Sequence, residues 1–381
     1  MQEKIFSLQY LRKSTYRARH WETWHWLVKY IPMVPVWVWY CIKARSLWFF
    51  TASNPTLTFG GYEGETKMEM YSLLPKDTYP KTIYIRAGQS YSELKSRFTS
   101  GGFAFPVAVK PDVGRMGLMF RRINSMHDLT TYHHRMRTDY LIQEFIQYPL
   151  EVSVFYYRFP SEQKGTITGF VRKEHLSVIG DGSSTLYQLM MAYDRIQFRL
   201  EEMKAKHATW LDHVIPAGEK YVLSDALNLS RGGKLISLEH EKDHKLLTVF
   251  DNLSHRGRFY FGRYDIKCAS IEELKDGKNF SILEFNGSGA EPHHVYGNGN
   301  SFVKAVTILL DHWNALYKIS AENHRRGIPY WSFFRGLRHM RLARTHIALL
   351  RKLEFSMENL SRKSQNKTVG DEVTLPQYEL T

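Results

Sequence analysis

The sequence has only two cysteines and fewer acidic than basic residues. The first shortage excludes a disulfide-rich fold, and the second indicates the charge of a binding partner. Cys41 and Cys268 cannot form a disulfide framework and lack metal-site spacing, so we expect a reducing compartment. The first apolar run follows polar and basic residues and has no small-residue cleavage site, which predicts no secretory signal. Internal repeats and low-complexity tracts are absent, while 43% hydrophobic and 14% aromatic residues predict a globular protein.

Acidic residues are outnumbered in two terminal segments. The net charge is +14; residues 1–50 hold eight Lys and Arg against two acids, and residues 323–363 hold ten against two. Such a surface favours an anionic partner, namely lipid headgroups, a phosphorylated acceptor or nucleic acid. Basic faces kept for solubility are the alternative.

Long apolar runs are also missing, although residues 21–50 hold six tryptophans. Residues 24–42 have about the length of a membrane span, but a lysine and two prolines interrupt them, and a spanning helix needs roughly 20 predominantly apolar residues. Trp and Tyr enrichment beside Lys43 and Arg45 predicts a segment that lies in the membrane interface. An aromatic arm packed on the protein's own core is the alternative.

Hydrophobic periodicity predicts a mixed α+β chain. Predicted strands occupy 82–85, 105–110, 118–121, 140–145, 151–157, 165–171, 234–238, 260–266 and 280–285. Predicted helices occupy 65–74, 92–97, 124–136, 185–206, 243–256 and 301–324, with an amphipathic basic helix at 331–360.

The strands 260–266 and 280–285 are the centre of the functional argument. Alternation puts Arg263 and Asp265 on one face of the first strand, and Glu284 and Asn286 on one face of the second. Pairing of the strands would gather two carboxylates and an amide oxygen, which suit Mg²⁺, beside an arginine that suits a phosphoryl group. A surface hairpin with a solvated polar face is the alternative.

Upstream, a strand ends on Lys110 and a loop with Gly114 and Gly117 follows it. Glycines let backbone N–H groups approach a phosphate, and the lysine supplies the countercharge. No Gly-Lys-Ser/Thr occurs there, so this is not a Walker loop. In the next pair of predicted strands, 140–145 and 151–157, Glu151 is placed to accept hydrogen bonds from the ribose hydroxyls of a nucleotide.

Four pieces in order, PVAVKP, QEFI with LEVSV, GRYDIK and ILEFNGSGAEP, resemble the ATP-grasp superfamily of carboxylate-amine ligases. Two further stretches, VRKEHLSVIGDGSSTLYQLM and LNLSRGG, are similar to the ligase domains of cyanophycin synthetase and bifunctional glutathione synthetase; D-alanine–D-alanine ligases are related. The resemblance implies two α+β subdomains that sandwich ATP and two magnesium ions.

The resemblance also implies residue roles. The nucleotide-binding positions would be Lys67, Lys110, Gly114, Gly117, Glu144, Ile146 and Glu151. Magnesium would be held by Asp265, Glu284 and Asn286, and the phosphoryl group or acyl phosphate would be met by Arg263, Arg172 and Lys173. The acceptor substrate, which receives the acyl group, would face Asn228, Ser230, Gly232 and Gly233.

His293 and His294 follow the second strand and would orient substrate or act as base. Adjacent residues of an extended chain alternate faces, so we expect at most one of them in the site. Ordinary loop histidines are the alternative.

The sequence departs from the family before Lys67 and in the loop after Lys110. Only 66 residues precede Lys67, fewer than the usual pre-ATP-grasp domain, and Arg115 and Met116 replace small residues of the loop. We therefore predict an aromatic, basic N-terminal segment (1–64), an ATP-grasp domain (65–324), a basic helical segment (325–363) and a disordered tail (364–381).

The expected activity is ATP-dependent ligation, in which a carboxylate is activated as an acyl phosphate and coupled to an amine or thiol. The substrates would be small molecules or lipid-borne, in the cytoplasm or at the inner face of a membrane. An ATP-binding membrane-surface scaffold without turnover is the alternative. Nucleic acid is disfavoured as a partner, because the basic residues lie outside the central region and the aromatic run is too apolar for base stacking.

Overall fold

The computed structural model describes residues 14–193, 196, 199–224, 232–297 and 299–368, with the backbone alone for Trp26 and 358–368. Within this part the chain forms two compact units. Unit 1 comprises the residues up to Tyr62, Leu73–Tyr79 and Gln147–Phe333; unit 2 comprises Glu63–Ser72, Pro80–Ile146 and the residues from Phe334 onward. Both units mix helices with antiparallel strands, which confirms the predicted α+β class.

The elements are numbered in chain order. The strands are β1 (Thr82–Ile85), β2 (Val107–Pro111), β3 (Arg121–Ile123), β4 (Tyr140–Glu144), β5 (Leu150–Tyr157), β6 (Thr166–Glu174), β7 (Leu176–Ile179), β8 (Lys220–Ser224), β9 (Lys234–Ser237), β10 (Phe261–Cys268) and β11 (Phe280–Asn286). The helices are α1 (Trp26–Tyr30), α2 (Val34–Ala44), α3 (Lys67–Ser72), α4 (Tyr91–Ser100), α5 (Met126–Arg135), α6 (Leu186–Ala192), α7 (Leu200–Lys206), α8 (His244–Gly257), α9 (Ile271–Lys275), α10 (His294–Gly297), α11 (Phe302–Arg325) and α12 (Phe333–Thr368).

Unit 1 is built on a five-stranded antiparallel sheet in the order β11-β10-β5-β6-β9. Its central strands alternate between a polar face and an apolar face, because successive side chains of a strand point to opposite sides. Helix α8 packs on the apolar face, where Phe250 lies with its ring 5.1 Å from that of Tyr264. Asp243 caps α8 by accepting from the backbone N–H of Leu246, which fixes where the helix begins.

The N-terminal segment of unit 1 packs one face on helix α11. The Trp37 and Trp313 rings meet edge to face at 5.0 Å, and Tyr40 stacks on Tyr317 at 4.7 Å. For this face the structure confirms the alternative that the aromatic arm packs on the protein's own core. In the described part of the chain, no helix has both the length and the apolar character needed to cross a membrane.

A buried asparagine joins the N-terminal segment to the central sheet. Asn54 is fully buried, and its side-chain oxygen accepts from the backbone N–H groups of Tyr260 and Phe261 at 2.8 and 3.1 Å. Its side-chain nitrogen donates to the carbonyls of Gly60 and Phe261 at 3.0 and 2.9 Å. The amide thereby uses its full hydrogen-bonding capacity at the start of β10.

Unit 2 is built on a four-stranded antiparallel sheet in the order β1-β4-β2-β3. Helix α12 contributes Ile347 and Leu350 to its apolar core, while Arg335 and Arg344 lie exposed on the other face, as the predicted amphipathic pattern requires. The Glu354 carboxylate accepts from Arg121 at 2.9 Å, which ties α12 to β3.

Two predicted elements differ from those found, and two strands were not predicted. The single helix predicted over 185–206 is two helices, α6 and α7, because both pack around one small core with the unpredicted strands β7 and β8. The strand predicted at 118–121 lies at Arg121–Ile123 instead. Met116 and Met119 have positive φ, so the chain turns where the strand was expected.

Candidate functional site

Strand register in unit 1 brings the predicted metal ligands together. Asp265 on β10 lies directly opposite Glu284 on β11, and Arg263 lies directly opposite Asn286. The register shifts by one residue immediately after Asp265, a β-bulge of the kind found beside functional sites. The predicted pairing of the two strands and their shared polar face are confirmed.

Asp265 is held by four polar side chains. It accepts from Lys173 at 3.1 Å, from Arg263 at 3.0 Å and from the Asn286 amide at 3.0 Å, and the Ser153 hydroxyl donates to it at 2.5 Å. Burial alone would raise the pKa of the Asp265 carboxyl, but Arg263 and Lys173 hold that pKa well below its usual range. Asp265 is therefore a buried carboxylate that is ionised at neutral pH.

Lys173 lies between two carboxylates. Its Nζ is 3.0 Å from Glu151 and 3.1 Å from Asp265, and its side chain is 8% exposed. Burial would lower the pKa of Lys173, but the charges of Asp265 and Glu151 outweigh burial and raise it. Glu151, expected at a ribose, here holds this lysine in place.

Arg263 connects the cluster to the loop after β11. Its Nη1 donates to the Glu291 carbonyl at 2.7 Å, while its other nitrogens hold Asp265. The Glu291 carboxylate accepts in turn from the hydroxyls of Tyr30 and Tyr296. Burial and the Glu291 charge raise the pKa of both phenols, so they remain neutral donors.

The two adjacent histidines occupy different surroundings. His293 Nδ1 lies 3.3 Å from the Ser153 hydroxyl, and burial together with Arg263 lowers its pKa well below the usual value. His294 lies against Gly169, where no Cβ could fit, and its ring centroid is 5.2 Å from that of His312. Burial lowers the pKa of His294 to about 3. Only His293 contacts the cluster around Asp265.

Four predicted nucleotide residues of unit 2 lie in or beside the loop after β2, namely Lys67, Lys110, Gly114 and Gly117. Lys67 Nζ donates to the Gly114 carbonyl at 3.1 Å, and Lys110 Nζ donates to the Tyr71 hydroxyl at 3.0 Å. Gly117 has a φ of +69°, which favours glycine. The loop thus brings Lys67 to one of the two predicted glycines.

The two predicted adenine-side residues lie at the end of β4. The Glu144 carboxylate accepts from the backbone N–H of Lys81 at 3.0 Å, and Ile146 follows it half-buried. Glu144 therefore holds the start of β1, at the edge of the four-stranded sheet.

The remaining predicted residues are not gathered at Asp265. Arg172 lies on the opposite face of β6 from Lys173 and donates to Glu174 at 2.6 Å. Gly232, with a φ of +95°, and the buried Gly233 lead into β9. Asn228 and Ser230 lie outside the described residues.

The polar face fits magnesium by its donor chemistry. Asp265, Glu284 and Asn286 offer carboxylate and amide oxygens from adjacent strands, and Mg²⁺ commonly takes one or two carboxylates and completes its shell with water and phosphate. In the described residues no group of three or more His, Cys, Asp and Glu side chains could hold a metal alone.

Ser153 is the residue of this site that sequence reasoning missed. It precedes Val154 on β5, lies opposite Asp265 in register, and contacts both Asp265 and His293. The alternation of LEVSV, which already singled out Glu151, puts Ser153 on the same face two residues later.

No protein-family model and no curated protein matches the sequence. Among solved structures, the chain is similar to a bifunctional glutathione synthetase from Pasteurella multocida over 67% of this chain and 38% of that one, with 11% identity and a TM-score of 0.41. It is similar to the VanG D-Ala:D-Ser ligase of Enterococcus faecalis over 66% and 61%, with 13% identity and a TM-score of 0.38. An ATP complex of the D-alanine–D-alanine ligase of Bacillus anthracis is matched over 69% and 68%, with 11% identity and a TM-score of 0.39.

The match therefore spans well under half the length of the glutathione synthetase and less than two thirds of VanG. These ligases are ATP-grasp proteins, the superfamily that the motif order of this chain resembles.

Proposed function

We propose that the chain is an ATP-dependent ligase that activates a carboxylate as an acyl phosphate and couples it to an amine, with release of ADP and phosphate. The single observation that carries this proposal is the buried, ionised Asp265, held by Arg263 and Lys173 on the sheet face that also presents Glu284 and Asn286. Opposite charges fixed side by side on a rigid sheet are suited to binding both a cation and a phosphoryl group.

Asp265, Glu284 and Asn286 would hold two magnesium ions, which neutralise phosphate charge when bound. Arg263 is fixed by Asp265 and by the Glu291 carbonyl, so its guanidinium can meet a phosphoryl oxygen with little loss of side-chain entropy. Lys173, held by Glu151 and Asp265, would supply a second positive charge. Lys67, Lys110 and the glycine loop of unit 2 would bind the phosphates of ATP.

The rate of this reaction depends on positioning of the reactants and neutralisation of their charge more than on covalent catalysis by the protein. A substrate carboxylate oxygen attacks the γ-phosphorus and ADP leaves; the amine nitrogen then attacks the acyl carbon, and the C–O bond to phosphate breaks. The attacking amine must lose a proton. His293, beside Asp265, would accept that proton, and the Ser153 hydroxyl 3.3 Å from its Nδ1 would orient the ring.

The test is ADP release by the full chain with Mg²⁺-ATP over pooled amino acids and small carboxylic acids. Hydroxylamine added to the same mixtures traps an acyl phosphate as a hydroxamate. We expect pool-dependent ADP and hydroxamate, reduced on the order of 10²–10³-fold in Asp265→Asn. The matched control is Asp276→Asn, which removes a half-exposed carboxylate bonded to Lys245 and should leave turnover unchanged.

ATP binding without ADP release under every pool, including lipid-borne carboxylates, would contradict ligase activity and favour the scaffold. ADP release that survives in Asp265→Asn would contradict the assignment of the site.

A further inference from the structure

Helices α1 and α2 leave one apolar face uncovered. The apolar stripe, as we name it, consists of Leu27, Ile31, Val34, Val38 and Ile42, all of which are exposed. Their spacing of three or four residues places them along one side of consecutive helical turns. Ile31 and Ile42 are 61% and 62% exposed, so nothing in the described part of the chain covers them.

The opposite face of the same helices is buried in unit 1. Met33 and Cys41 are buried, and Trp37 packs on Trp313 and Phe49. Helix α2 is therefore apolar on both its buried and its exposed side up to Ile42, whereas a helix at a water-exposed surface carries polar residues on its outer side. A contiguous apolar face that is rigidly held at the surface marks an interaction site.

Charge around the apolar stripe identifies the kind of partner. Between residues 14 and 62 there are five Lys and Arg against one acid. Lys43 and Arg45, at the end of α2, are exposed, and the Lys43 ammonium lies 5.9 Å from the ring of Trp39, which is itself exposed. An apolar face bordered by basic residues and tryptophan is the composition that binds an anionic lipid interface.

We propose that the apolar stripe is the docking surface for an anionic lipid bilayer, with α1 and α2 lying in the plane of the interface. Helix α2 has only 11 residues, about half of what a span requires, so the binding is peripheral. The buried face of the same helices contacts Glu291 through Tyr30, so the docked surface is joined to the loop beside Arg263. The proposal needs no ligase activity and is tested without ATP.

The experiment is flotation of the full chain with vesicles of phosphatidylcholine, with and without phosphatidylglycerol, at low and high salt. The wild type should float with the anionic vesicles, and less so at high salt. Ile42→Glu and, separately, Val38→Glu should lower the partition coefficient about tenfold. The matched control is Ile179→Glu, the same substitution at a residue of β7 that is 56% exposed.

Lys43→Gln tests the contribution of charge and should weaken partition to anionic vesicles several-fold. Its control is Lys220→Gln, which changes an exposed lysine of β8. Thermal unfolding checks that all variants keep the wild-type fold. The proposal is overturned if the wild type does not float, or if Ile42→Glu and Ile179→Glu float equally. It is also overturned if sedimentation finds a dimer that Ile42→Glu separates while vesicles are not bound, since the occupant is then a second copy of the chain.

Discussion

The two faces of the central sheet in unit 1 are made by the same strands and have opposite chemistry. Arg263 and Asp265 on β10 belong to the charged face, while Tyr264 and Ile266 between and beside them are fully buried on the apolar face under α8. Neighbouring residues of the same strand thus lie on opposite faces, so that one can contact a ligand while the next stabilises the fold. The charged face of the sheet holds the candidate site, and the apolar face under α8 stabilises the sheet.

The charged face is stable only because its members neutralise one another. Buried ions lose their hydration, and removal of one partner leaves the other uncompensated, which costs about 3–5 kcal/mol. On the apolar face the stabilisation comes from area and packing instead. The two faces should therefore respond differently to substitution.

The largest effect is expected from Lys173→Met, because it leaves Glu151 and Asp265 without a shared cation. The free energy of unfolding should fall by about 3–5 kcal/mol, and ATP turnover with it. Urea denaturation measures the first effect. The control is Arg172→Met, the preceding residue on the opposite face, whose side chain is 38% exposed and whose pair with Glu174 should be worth less than about 1 kcal/mol. Equal losses would contradict the distinction between the faces.

Phe250→Ala changes the reverse face alone. The ring is fully buried against Tyr264, so its removal should lower the free energy of unfolding by about 3 kcal/mol or more through lost transfer energy and a cavity. Turnover per folded molecule should stay at the wild-type level. Thr248→Ala, exposed on the same helix, is the control for helix effects. Loss of turnover in folded Phe250→Ala would mean that the two faces are not separable.

A pH effect distinguishes His294 from the charged cluster. Its folded-state pKa is about 3, against an unfolded value near 6.5, because burial disfavours the cation and His312 and Lys242 add to that effect. The unfolded chain therefore takes up the proton first, so stability is complete above pH 6.5 and falls as the pH drops toward 3. Between pH 7 and pH 5 the wild type should lose about 2 kcal/mol more than His294→Gln. Thermal or urea unfolding at the two pH values measures this difference, with the exposed His244→Gln as control; parallel losses in wild type and His294→Gln would refute the assignment.

The smallest expected effect is that of Tyr264→Phe. The Tyr264 hydroxyl bonds Ser254 at 2.9 Å in a fully buried position, and its removal leaves the Ser254 hydroxyl without this partner. The expected loss is about 1–2 kcal/mol of unfolding free energy, without change in turnover. The double variant with Ser254→Ala should recover part of the loss; no recovery would show that the hydrogen bond is not its source.

The part of the site that sequence predicts is the part set by local alternation. Arg263, Asp265, Glu284 and Asn286 are on one face because strand geometry requires it, and the pairing of the strands followed from their proximity in sequence. Ser153 is separated from Asp265 by 112 positions, so their contact depends on the register of β5 against β10. Periodicity within one strand contains no information on that register.

The same limit explains the errors in the fold. Residues 185–206 are continuously helix-forming, with no proline or glycine, yet Leu186 and Met190 of α6 share one core with Leu200 and Met203 of α7. Packing around a common core overrides a continuous helical propensity. For Arg172 and Lys173, the motif indicated both residues, but alternation along β6 sends only Lys173 to Asp265.

The hydrogen bonds of Asn54 limit which segments can replace the residues around it during evolution. Its four hydrogen bonds to Gly60, Tyr260 and Phe261 make residues 54–60 a structural complement of β10. A recombination event that exchanged this segment for another would leave the first backbone groups of β10 without their partners, next to the strand that holds Asp265. Replacement of the segment around Asn54 should therefore destabilise the central sheet of unit 1, whereas point substitutions along the exposed side of α1 and α2 should leave these hydrogen bonds intact.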